Sequence, residues 1–116
     1  MITGAHVLIY SPVADEVRAF LADVLDLPSV DAGGGWPIFA LPPSELAVHP
    51  TDGGPTTTEL YLMCDDIEAT LDALRAKGAS VIAPVTDQGW GLRTALRLPG
   101  GAELGLYEPR HPTAHA

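Results

Sequence analysis

The chain has 116 residues, 47% of them hydrophobic and 18% charged, which fits an ordinary globular domain able to bury a core without disulfides or a structural metal. Fifteen acidic residues against six basic ones give a net charge of −9, which argues against a nucleic-acid partner and against a polybasic membrane contact. One cysteine leaves no disulfide framework, no apolar run nears the roughly 20 residues that span a bilayer, and Met1 to His6 has no basic leader region, so the expected location is the cytoplasm.

The first expected strand is Ala5 to Tyr10, with Ala5, Val7 and Ile9 on one face and His6, Leu8 and Tyr10 on the other. Ser11 and Pro12 read as an N-cap and a first helical position. Val13, Val17, Phe20, Leu21 and Val24 repeat at helical spacing, and Pro28 ends that helix. Gly33, Gly34 and Gly35 mark a turn before a strand from Trp36 to Leu41. Pro42 to Ser44 turns the chain into a short strand, Glu45 to His49, whose register the alternation leaves open. Thr51 to Pro55 is a polar connection and the candidate internal boundary.

The pattern then repeats. Thr57 to Cys64 reads as a strand, with Thr58, Leu60, Leu62 and Cys64 facing a helix. Asp65 and Asp66 supply the cap, Ile67, Leu71 and Leu74 the buried stripe, and Gly78 the stop. Ser80 to Pro84, Trp90 to Leu98 and Glu103 to Tyr107 are further strands, the last two joined by a turn at Pro99, Gly100 and Gly101. The expected organisation is a single domain over 1–116, with module one about 1–50, module two about 56–109 and a frayed tail over 110–116. Each module reads βαβββ, with its helix covering one face of its own strands, and the fold class is α+β.

The stretch Asp87-Gln88-Gly89-Trp90-Gly91-Leu92-Arg93, the turn Leu98-Pro99-Gly100-Gly101 and the ending Leu106-Tyr107-Glu108-Pro109 resemble the second half of the vicinal oxygen chelate superfamily. That group holds glyoxalase I, extradiol dioxygenases, fosfomycin resistance enzymes and bleomycin resistance proteins. The resemblance runs from His6 to Pro109. It implies tandem βαβββ modules forming one curved, U-shaped mixed sheet around a ligand cleft, helices on the outer face, and a homodimer.

In metal-using members each module gives one ligand from its first strand and one from its last. Carried over by resemblance, the first-strand positions fall on His6 and Glu59. The last-strand positions fall on Gly105 and on Leu46 or Ala47, none of which binds a metal through its side chain. His49 and Glu103 are weaker substitute ligands, each with a simpler reading as a strand-end or solvated residue. His6 and Glu59 each break a hydrophobic strand on the face away from its helix, where a charge is costly unless partnered. Three readings stay open: two ligands of a divalent metal (zinc, iron, manganese or nickel), a metal-free hydrogen-bonding or acid/base pair, and a structural pair.

Tyr10, Trp36, Tyr61, Trp90, Arg93 and Tyr107 are candidates to line the cleft, against ordinary core packing or solvent-facing alternation. Cys64 reads as a core residue. The favoured function is a binder of a small molecule with an incomplete ligand set, the acidic charge suiting a cation. The alternative is a divergent divalent-metal lyase, isomerase or dioxygenase acting on a small oxygen-chelating substrate.

Overall fold

The computed structural model describes residues 6–9, 11–45, 47, 53, 55 and 58–112. Helix α1 spans Ala14–Asp23 and begins later than Ser11-Pro12 suggests. Ser11 Oγ accepts from the Val13 N–H at 3.2 Å, and Val13 takes the N-cap position without a side-chain cap. The serine therefore closes a turn ahead of the helix instead of capping it. Strands β1 (Ser29–Asp31) and β2 (Pro37–Phe39) form an antiparallel hairpin. Asp31 organises its turn by accepting from the N–H groups of Gly33 (2.7 Å), Trp36 (3.2 Å) and Gly35 (3.3 Å). The Gly33 N–H above all holds the Asp31 carboxyl below its usual range.

Residues 58–112 form a strand, a helix and four further strands, one more than the expected pattern, which lacked a strand over 86–87. Strand β3 (Tyr61–Met63) leads to helix α2 (Ile67–Ala76), then to β4 (Ser80–Val81), β5 (Thr86–Asp87), β6 (Gly91–Arg97) and β7 (Glu103–Pro109). The sheet order is β3-β7-β6-β4, with β5 also on β6. β3 and β7 are parallel, and the other pairs are antiparallel. Asp66 caps α2 by accepting from Ala69 N at 3.0 Å. Glu108 Oε1, from the end of β7, accepts from Ile67 N at 3.0 Å and ties the same helix end to the sheet. The stripe Ile67, Leu71 and Leu74 is buried against Leu96 and Leu106.

The described strands form the five-stranded mixed sheet and the antiparallel β1–β2 pair, in line with the expected α+β fold class. Other details differ. Residues 6–9 belong to no strand, and Val7, Leu8 and Ile9 are 51%, 64% and 43% exposed. Alternation supplies two faces, but a strand also needs a partner edge. Among the described residues, α1 packs on strands of the second module. Val17 is buried with Leu98 and Leu104, and Val13, Phe20 and Leu21 pack beside Leu60 and Leu62. Both helices therefore use the same face of the five-stranded sheet. Leu46 and the 48–50 segment lie outside the described residues, so the strand over 45–49 does too.

The start of the expected frayed tail is held. Arg110 N donates to Trp90 O at 2.9 Å, and its guanidinium pairs with Asp87 at 3.4 Å. Among the described residues, no helix is long and apolar enough to cross a membrane.

Candidate functional site

Alternation along β3, β6 and β7 divides the side chains between two faces. Leu62, Thr94, Leu96, Leu104 and Leu106 point to the helices, and the leucines among them join the core. Glu59, Tyr61, Arg93, Gly105 and Tyr107 lie on the opposite face. Register places Tyr61 beside Gly105, and Arg93 beside Tyr107.

Three rings gather there. The centroids of Trp90 and Tyr107 are 5.2 Å apart, those of Tyr61 and Tyr107 5.9 Å, and those of Tyr61 and Trp90 6.3 Å, all edge to face. That is the geometry favoured by the ring quadrupoles. Glycines make the approach feasible. A Cβ at Gly105 would lie 2.3 Å from Tyr61 Cδ1, and one at Gly91 would lie 2.9 Å from Tyr107 Cδ2. The Tyr61 ring occupies the space that a side chain at 105 would need.

A polar chain crosses the cluster. Tyr61 O–H donates to Glu59 Oε2 at 2.8 Å and accepts from Arg93 Nε at 3.2 Å. The Arg93 guanidinium also stands 5.4 Å from the Tyr61 ring centroid. On the other side His111 stacks on Tyr107, centroids 5.9 Å apart, and its Nε2 lies 3.1 Å from Tyr107 Oη. His111 Nδ1 lies 2.8 Å from the Pro112 carbonyl, which can only accept. In the neutral ring Nδ1 therefore carries the proton, and Tyr107 O–H donates to Nε2. Burial, followed by the Glu45 carboxylate, raises the Tyr107 phenol above the usual tyrosine range.

The candidate residues separate clearly. Tyr61, Trp90, Arg93 and Tyr107 come together, joined by Glu59. Trp36 does not join them. It is 63% exposed beside the hairpin turn, with Arg18 4.6 Å from its ring centroid. The strand that follows it, β2, pairs with β1. Tyr10 and His49 lie outside the described residues. Glu103 is exposed at the start of β7, opposite Arg97. His6 is exposed and outside any strand. Sequence reasoning missed His111, which no local pattern marks and which reaches the cluster through the fold.

The described residues on this face do not form a metal centre. Among the described residues, no group of three or more His, Cys, Asp or Glu side chains converges. Glu59 is engaged by a tyrosine hydroxyl, and the Gly105 position is covered by a ring. Two grooves lie away from this face. A groove of about 340 Å³ runs between the end of α1 and α2, and one of about 310 Å³ lies along the hairpin. The first is bordered by the ion pair of Lys77 with Asp26. The second is nearly all apolar and holds no titratable side chain. Neither gathers the chemistry found on the open aromatic face, which is therefore the stronger candidate site.

An open mixed sheet carrying both helices on one face and an aromatic, polar cluster on the other defines a fold used around small molecules. The sequence pattern of the Glyoxalase/Bleomycin resistance protein/Dioxygenase superfamily matches residues 4–106, and the chain belongs to that superfamily. No curated protein matches it. Solved structures show the same fold at low identity. TnmS3, an antibiotic binding protein from Streptomyces sp. CB03234, is 20% identical, with 94% of this chain and 99% of that one covered and a TM-score of 0.63. Lactoylglutathione lyase from Agrobacterium tumefaciens is 16% identical, with coverages of 91% and 92% and a TM-score of 0.64. A superfamily member from Sphaerobacter thermophilus is 20% identical, with coverages of 92% and 98% and a TM-score of 0.64.

Proposed function

We propose that this chain is a cytoplasmic small-molecule-binding protein whose ligand lies against the aromatic face of the five-stranded sheet. The observation that carries this reading is the Tyr61 ring over Gly105. One of the positions that resemblance assigns to a metal ligand is given over to an aromatic surface. Tyr61, Trp90 and Tyr107 would stack on a planar ligand, while Arg93 and Glu59 offer a donor and an acceptor at its rim. The likeness to an antibiotic binding protein agrees with a binding role.

The working unit is a homodimer. Val7, Leu8, Ile9, Val30, Trp36, Ile38 and Leu41 are all exposed, and more apolar surface than this first half can cover itself calls for a partner. A second copy would cover that surface and enclose the aromatic face. Light scattering at high micromolar concentration should give twice the 12.1 kDa of the chain. A monomer would remove this part of the proposal.

The binding reading is tested by calorimetric titration with planar aromatic compounds and by metal analysis of protein prepared without chelators or an affinity tag. Binding that is lost in Tyr61→Ala and Trp90→Ala, with sub-stoichiometric metal, supports it. Stoichiometric zinc, iron, manganese or nickel that is lost in both His6→Ala and Glu59→Ala would replace it with the lyase, isomerase or dioxygenase reading.

A further inference from the structure

The aromatic face holds a cation whose companions are unusual for this chain. Four of the six basic side chains reach a carboxylate: Arg18 with Asp15, Arg75 with Asp72, Lys77 with Asp26 and Arg110 with Asp87. Arg97 spends its guanidinium on the Gly101 carbonyl at 2.8 Å. Arg93 alone is half-buried among aromatic rings, and its bond within hydrogen-bonding distance uses Nε on a phenol oxygen. With fifteen acids available, no carboxylate among the described residues comes within 4 Å of it.

Resting on the proposed binding role, we infer that the site selects a planar aromatic ligand bearing an ionised oxygen, and that Arg93 determines this specificity. Nε is anchored by Tyr61, which holds the guanidinium plane in place. Among the described residues neither Nη group has a hydrogen-bond acceptor, which leaves both as donors in the fork that suits a carboxylate or phenolate. The ring of such a ligand would lie against Trp90 and Tyr107 while its oxygen meets the Nη edge. Two acids stand near. Glu59 is bound to the Tyr61 hydroxyl, and Glu45 acts on Tyr107. Both orient an anion toward Arg93 by repelling it from the remaining rim. The overall charge of −9 favours a cation at long range. At the site the fixed guanidinium a few ångströms away outweighs that screened field.

The test uses three probes of one shape on the full chain: 2-naphthoate, neutral 2-naphthamide and cationic 2-naphthylmethylammonium. Calorimetry should show naphthoate bound roughly tenfold or more tightly than naphthamide, the size of one charge-assisted pair. In Arg93→Met that ratio should fall toward one, and in Arg93→Lys it should be partly kept. Circular dichroism of both variants checks that the fold is intact. If the ammonium probe binds more tightly than naphthoate, or if Arg93→Met leaves the ratio unchanged, the inference is overturned while the binding role survives. If none of the three probes binds, the binding role fails and takes the inference with it.

Discussion

Residues 6–45 and 58–112 share a sequence pattern but differ in how they hold together. Among the described residues, the second region supplies eight of the nine core hydrophobics: Ile67, Leu71, Leu74, Ala95, Leu96, Leu98, Leu104 and Leu106. The first supplies only Val17, and that residue packs against Leu98 and Leu104 of the second region. A repeated strand–helix–strand pattern therefore does not mean a repeated core. The second module closes on itself because β6 and β7 pair over seven residues and carry the leucines on one face. The three-residue strands of the first offer no such platform.

The largest effect that should expose this contrast is a core truncation. Leu71→Ala, at a side chain 1% exposed, should cost about 2–5 kcal/mol in urea denaturation. Val30→Ala, at 68% exposure on the hairpin, should cost under about 0.5 kcal/mol in the monomer. Equal losses would show that the hairpin has a core of its own. In the proposed dimer Val30→Ala should instead weaken association.

The next effect concerns the glycine beneath the aromatic face. Gly105→Ala should cost about 1–3 kcal/mol, since the new methyl collides with the Tyr61 ring. Adding Tyr61→Ala should recover much of that loss, and the double-mutant cycle measures the coupling. Independent, additive losses would mean that the ring does not rest on Gly105.

The two helix starts give a smaller contrast. Asp66→Ala removes a true cap and should cost about 1 kcal/mol. Ser11→Ala removes only a turn bond ahead of α1 and should cost under about 0.5 kcal/mol.

The smallest effect is on pH dependence. Burial, with weaker repulsion from Glu108, Asp65 and Asp66, raises the Cys64 thiol above its ordinary 9.0. The folded state thus keeps a proton that the unfolded chain releases. The stabilisation is full below pH 9 and declines as pH rises from there through the folded value. Tyr107, raised from 10.0, acts in the same direction at higher pH. Denaturation midpoints should fall more steeply above pH 9 for the native chain than for Cys64→Ala.

Local chemistry determined much of this protein from its sequence. The stripe Ile67, Leu71 and Leu74, the Asp66 cap, the stop at Gly78 and the long strands over 90–98 and 103–107 all depend on residues near one another in the chain. The strand face shared by Glu59 and Tyr61 was legible too, because alternation is a local rule, whereas Arg93 joins it through the pairing of β6 and β3 with β7. Tertiary structure alone decided the rest. Which edge a strand finds, where α1 buries Val17, and whether Trp36 reaches Trp90 depend on partners far along the chain. The covering of position 105 by Tyr61 was equally hidden. Gly105 reads in sequence as a missing ligand, and only the parallel pairing of β3 with β7 sets the tyrosine beside it. His111 carries no periodic signal at all. It reaches Tyr107 because the chain returns there in three dimensions, and no spacing rule encodes that return.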